Sequence, residues 1–194
     1  MPRSNARLFW PIFFAVGALD FTTKAMATRL VRQLPRDVYG EWIRFTLVYN
    51  PGAAFGLHVG QYSRWIFMVL TMVALVILGR LFMATRQGDA IRTISLALVC
   101  GGAVGNLIDR INLSRAGVVD FIDIGFGDSR WPTFNVADMA VSVGAFLLAW
   151  VLWGEDNETR EAEQTELQSA EIPNAGDAPP SISMRAAAGG GADI

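Results

Sequence analysis

Apolar positions gather into four long runs along this chain, separated by polar segments of unequal length. Residues 8–27 carry only two charges, Asp20 and Lys24. Residues 64–84 have a charge-free centre at 65–79, and residues 93–108 stay uncharged until Asp109 and Arg110 close the run. The fourth run, 139–153, is also uncharged. It must begin near Asn135 to approach the roughly 20 residues that cross a bilayer as a helix. Trp131 and Phe134 at one end of it, with Trp150 and Trp153 at the other, fit aromatic belts at two interfaces. The pattern predicts four transmembrane helices.

The first run also imitates a cleavable signal peptide, with Arg3 and Arg7 ahead of it and a small-residue "AMA" at its end. Asp20 and Lys24 count against that reading, because they lie one helical turn apart and can pair on one face. Between the first two runs lies a long connection, residues 28–63. Within it Ile43, Phe45, Leu47 and Tyr49 alternate with Trp42, Arg44, Thr46 and Val48, the period of a half-buried strand. The strand leads into "NPGAAFG", whose Gly52 and Gly56 permit turn geometry. A short polar turn near "TRQGDA" makes helices two and three an antiparallel pair. The predicted fold is an all-α membrane protein of four transmembrane helices, with a small β-strand and loop subdomain between helices 1 and 2.

Composition agrees with a membrane protein: 52% of residues are hydrophobic, 18% are charged, and mean hydropathy is +0.34. The single cysteine, Cys100, sits in an apolar run and has no partner for an internal disulfide. Charge divides the chain further. Residues 154–194 hold nine acids and two bases, whereas residues 1–153 carry a net charge of +5. The expected domains are therefore a membrane domain at 1–153 and an acidic, disordered tail at 154–194, dispensable for chemistry. Charge leaves sidedness open. The compact turn with Arg80, Arg86 and Arg92 suits the cytoplasm, yet the opposite side holds more arginines overall.

With four spans, odd-numbered helices end and even-numbered helices begin on one side. That rule brings Asp20, Lys24, Asn50, Asn106, Asp109, Arg110, Asp120, Asp123, Asn135 and Asp138 to a single membrane face. An ionised carboxylate costs at least about 2.5 kcal/mol at the centre of a membrane helix and less near the interface, so such a cluster needs a reason. A serine triad needs a histidine base, and the one histidine, His58, has no partner pattern. A zinc peptidase of the His-Glu-x-x-His type needs two. Lys24, the sole lysine, follows Asp20 at helical spacing, which favours an ion pair over a Ser–Lys dyad.

Two carboxylates remain, Asp120 and Asp138. Held close together in a low-dielectric site they would share a proton, one acting as base towards water while the other polarises a carbonyl. Asp138 as a simple helix cap is equally open, since a carboxylate is favourable in a first turn. Gly101 and Gly105 have the spacing that lets membrane helices approach closely. Arg110 either pairs with Asp109 or holds a substrate carbonyl. The main alternative function is a small transporter or proton relay using paired acids, which predicts acids deep in the spans and internal repeats; neither is seen.

"DFTTK", "NPGAAFG", "GGAVGNLIDR", "VVDFID" and "FNVAD", in that order over residues 20–138, together resemble lipoprotein signal peptidase, also called signal peptidase II. The resemblance implies a bacterial inner-membrane aspartyl endopeptidase that removes signal peptides from diacylglyceryl-modified prolipoproteins, cutting before the lipidated cysteine. It implies Asp120 and Asp138 as the catalytic pair. Asn50, Gly52, Asn106, Arg110 and Asn135 would bind and orient substrate, and Asp20, Lys24 and Asp109 would give structural support. Asp123 ranks below Asp120 for the same role. It also implies cytoplasmic termini and a site at the extracytoplasmic face. No metal, cofactor or nucleic acid is expected; the partners are prolipoprotein substrates and membrane lipids, and the protein is expected to be a monomer.

Overall fold

The computed structural model of the chain describes residues 3–31, 36–52 and 60–171. Its elements are α1 (Arg3–Leu30), β1 (Arg36–Tyr39), β2 (Ile43–Asn50), a 3-10 turn (Gly60–Tyr62), α2 (Ser63–Ala84), α3 (Ala90–Ile111), β3 (Val118–Phe126), β4 (Ser129–Arg130) and α4 (Val136–Glu171). Contacts divide the chain into two units, Met1–Trp153 and Gly154–Ile194. In the second unit, residues 154–171 are helical, with Arg160 and Asp156 paired at 2.9 Å one turn apart. Residues 172–194 of the expected acidic tail lie outside the described residues, as do Gly56 and His58.

Gly60–Ala84, Ala90–Ile111 and Val136–Thr165 are long and apolar enough to cross a membrane, which marks an integral membrane protein. In the first of these windows 6% is buried and in the second 50%, so α2 lies at the margin and α3 at the centre. The fourth expected span, α1, has the length at 28 residues but also carries Asp20 and Lys24.

Packing around α3 depends on its small residues. A Cβ on Gly101 would press on Val16 of α1, and one on Gly105 would lie 2.6 Å from Asp20 Oδ2. Gly102 faces Ala137 and Val141 of α4, and a Cβ on Gly144 of α4 would come within 2.7 Å of the Ser95 carbonyl. The small-residue spacing thus serves close helix approach on two sides. At the far end of the helices Phe9, Phe82, Leu96, Ala97 and Cys100 form an apolar cluster, with the Phe9 and Phe82 rings 4.3 Å apart. Asn5 fastens the α2–α3 turn there, donating to the Arg86 carbonyl at 2.8 Å and accepting from the Gly88 N–H at 3.0 Å.

The sheet corrects two expectations. It has four antiparallel strands in the order β1-β2-β3-β4, so the subdomain is not confined to the link between helices 1 and 2. Its β3 and β4 come from the connection between α3 and α4, expected as a loop. The second correction concerns alternation. Ile43 opposes Ile124 and Phe45 opposes Ile122, but the register shifts before Val48 meets Asp120, so the simple two-residue period along β2 breaks. Gly127 closes the β3–β4 turn with a left-handed φ of 54°. Charged partners run across the strands: Arg44 pairs with Asp37 at 3.1 Å and opposes Asp123, which pairs with Arg130 at 2.6 Å.

Candidate active site

Asp120 stands third in β3 and is 2% exposed; Asp138 stands in the first turn of α4. Both line one cavity of about 540 Å³, together with Asn50, Asn106 and Arg110 and an apolar wall that includes Trp131, Phe134 and Ala145. Asn135, fully buried, connects the two carboxylates. Its amide donates to Asp120 Oδ1 at 2.7 Å and to the Asn106 and Val119 oxygens at 3.2 and 3.3 Å. Its Oδ1 accepts the Asp138 N–H at 2.9 Å, while Asp138 Oδ2 accepts the Asn135 N–H at 3.2 Å. That reciprocal pair is a capping box, which satisfies two donors at the mouth of α4. The other Asp138 oxygen, Oδ1, accepts from Asn106 at 2.7 Å. Asp138 is therefore a helix cap and a cavity-lining carboxylate at once.

Behind this layer is a buried charge cluster. Lys24 reaches Asp20 at 2.7 Å, Asp109 at 2.9 Å and the Asn106 Oδ1 at 2.9 Å. Asp20 in turn accepts the Ala137 N–H of α4 at 3.0 Å, a charge-assisted bond at a helix N-terminus. Asp109 also binds Arg115 and accepts the Val119 N–H at 3.3 Å, next to Asp120. Thus Asp109 pairs with Lys24 and Arg115, while Arg110 lies in the cavity wall, its charge near both Asp120 and Asp138. Asn50 hydrogen-bonds the Asp120 carboxyl, and its own Oδ1 holds the Gly52 N–H at 2.9 Å. Among the described residues, Gly52 enters through that turn. Asp123 belongs to the charged pairs across the sheet.

Burial raises the Asp120 pKa from its ordinary 3.8 to about 7, with the nearby Asp138 charge as the second cause. Hydrogen bonds from Asn50 and Asn135, and the charge of Lys24, pull it down. Among the described residues no group of three or more His, Cys, Asp or Glu side chains could hold a metal ion. Sequence reasoning missed Arg115 and the Val119 N–H as the partners that fix the start of β3. Trp131 and Phe134, read from the sequence as interfacial aromatics, also line the cavity. A loop arginine five residues beyond the last charged residue of α3 left no periodic signal.

Long apolar helices, with a cavity lined by two carboxylates beside α3 and α4, define the class as an integral membrane protein with a polar site at one end of its helices. The chain belongs to the signal peptidase II family, whose sequence model, described as "Signal peptidase (SPase) II", matches residues 12–154. A lipoprotein signal peptidase of Mycolicibacterium smegmatis is 40% identical over 165 residues, which are 81% of this chain and 66% of that protein. One of Desulforapulum autotrophicum is 41% identical over 138 residues, 69% of this chain and 83% of that protein. A solved structure described as a bacterial membrane enzyme by the in meso method at 2.3 Å resolution superposes with a TM-score of 0.66. It is 29% identical, and the match covers 76% of this chain and 88% of that one.

Proposed function

We propose that the protein is an intramembrane aspartyl endopeptidase that removes the signal peptide from diacylglyceryl-modified prolipoproteins, cutting before the lipidated cysteine. The observation that carries this reading is the Asn135 bridge, whose side-chain amide donates to the Asp120 carboxylate and whose main-chain N–H donates to the Asp138 carboxylate, beside the cavity. Membership of a peptidase family supports it. With its pKa raised to about 7, Asp120 keeps a protonated fraction at neutral pH, and in the reactive form it carries the proton while Asp138 is the base. Asp138 takes a proton from water as the water oxygen adds to the scissile carbonyl carbon, and Asp120 gives its proton to the carbonyl oxygen. The tetrahedral intermediate then breaks its C–N bond: the leaving nitrogen receives the proton on Asp138, and Asp120 recovers one from the intermediate's hydroxyl. Arg110 and Asn50 orient the peptide carbonyls at this site.

The substrate's chemistry suits the position. A diacylglyceryl cysteine keeps its acyl chains in the bilayer, so its scissile bond lies at the interface, and the peptide must unwind there to expose a carbonyl. The protein would sit in the bacterial inner membrane with α1 as a fourth span, termini in the cytoplasm and the cavity at the outer face. The test is cleavage of a diacylated precursor peptide by purified protein. Asp120→Asn and Asp138→Asn each should lower the rate at least about 1,000-fold while the protein still folds. Cleavage retained by both variants would overturn the proposal.

A further inference from the structure

Among the described residues, none from α2 lines the cavity. Nevertheless Arg64, the second residue of α2, is bound to the segment that carries the site. Its guanidinium donates to four main-chain carbonyls: Arg110 at 2.7 Å, Arg115 at 2.9 Å, Asp109 at 3.3 Å and Asn112 at 2.6 Å. The last carbonyls of a helix have no intrahelical donor, and a cation is favoured at that end of the helix dipole. A planar fork of five N–H groups can serve several of these oxygens at once; an ammonium on a flexible stem cannot reproduce the geometry.

The segment so gripped is short and bears much of the chemistry. Residues 112–117 join α3 to β3. Arg110 of the cavity wall lies at one end, and Asp120 lies three residues beyond the other. From inside the fold, the Asp109 carboxylate ties the same segment to Lys24, Arg115 and the Val119 N–H. Arg64 grips the same connection from α2. Its own anchorage is firm, since the neighbouring Ser63 is 1% exposed and donates to the Gly60 carbonyl at 2.9 Å.

We infer that Arg64 is a positioning residue for the peptidase reaction: by clasping the α3–β3 connection it holds Arg110 and Asp120 in register over the cavity. The inference rests on the aspartyl-peptidase reading. Arg64 touches neither carboxylate, so it acts through the main chain. The charged groups around Asp120 are Asp138 of α4, Arg110 of α3 and Lys24 of α1. A loosened connection changes the first two distances and admits water to Asp120.

The experiment compares wild type, Arg64→Lys, Arg64→Met and Asp138→Asn as full-length proteins in detergent, with a diacylated precursor peptide and rates normalised to the folded fraction. Both Arg64 variants should lose about tenfold or more in kcat with KM changed by less than about twofold, the mark of misplaced rather than missing contacts. The alkaline limb of the kcat profile should move to lower pH. If Arg64→Met does not fold, Arg64→Lys decides. An unchanged normalised kcat, or a loss confined to KM with the pH profile unmoved, overturns the inference. Cleavage by Asp138→Asn would instead overturn the aspartyl reading of the site, and the inference with it.

Discussion

Asp120 stores an opposition between stability and activity in one side chain. Its folded pKa of about 7 lies above the ordinary 3.8, so the native state binds more protons than the unfolded chain across that interval. The stability this contributes is complete below about pH 3.8 and is lost as pH rises through about 7. Asp120→Asn removes the ionisation, so the variant should gain stability over wild type as pH rises, by at most about 4 kcal/mol. Thermal melts at pH 5 and pH 8 check this; a gain equal at both would show that desolvation of the carboxylate is not the cause. Asp123 is the contrast. It shares β3 with Asp120 but pairs with Arg130, whose side chain is partly exposed. Asp123→Asn should cleave normally and cost about 1 kcal/mol in a melt. Loss of cleavage in that variant would mean the wrong acid had been assigned.

The elements meet through charges that sequence neighbours do not predict. Long uncharged apolar runs made α2, α3 and the membrane part of α4 legible, and Asp20 with Lys24 was legible as a pair at i and i+4. For Arg110 the residues alone left two partners open, Asp109 or a substrate carbonyl; adjacent residues on a helix point to different sides, so Arg110 faces the cavity and Asp109 the Lys24 cluster. The sheet was half legible. β2 declared itself by alternation, but "VVDFIDIGF" carries two acids that read as loop, and its partner strand lies some seventy residues earlier. The capping box at Asn135 and Asp138 was visible as a first-turn acid, yet only three-dimensional proximity shows that Asn106 and Asn135 join it to Asp120. Lys24 is the element-level keystone, since it binds α1 to α3. Lys24→Met leaves Asp20 without its buried partner and should cost about 3–5 kcal/mol. Adding Asp20→Asn should recover part of that loss, and a double-mutant cycle by thermal melt measures it. No recovery would show that the pair is not coupled.

At the scale of the whole molecule, α1 falls short of a membrane span in composition but not in packing. Phe9 joins the cluster with Leu96 near the start of α3, Val16 meets Gly101 in its middle, and Lys24 meets Asn106 near its end. The two helices therefore run side by side in the same direction over most of their length. A 28-residue helix spans about 42 Å, more than the roughly 30 Å of a hydrocarbon core. The charges that lower its hydropathy are compensated internally, because Lys24 lies between Asp20 and Asp109 and none of the three faces lipid. A helix parallel to a span, of spanning length, with its charges satisfied by that span, should cross with it. The exposed residues Arg7 and Asp128 then lie on opposite sides of the membrane. With Cys100 replaced by alanine, Asp128→Cys should react with a membrane-impermeant maleimide on intact cells whose outer surface is accessible, and Arg7→Cys only after lysis. Labelling of both positions on intact cells would place α1 outside the bilayer, and the pairing of Asp20 with the mouth of α4 would then need another topology.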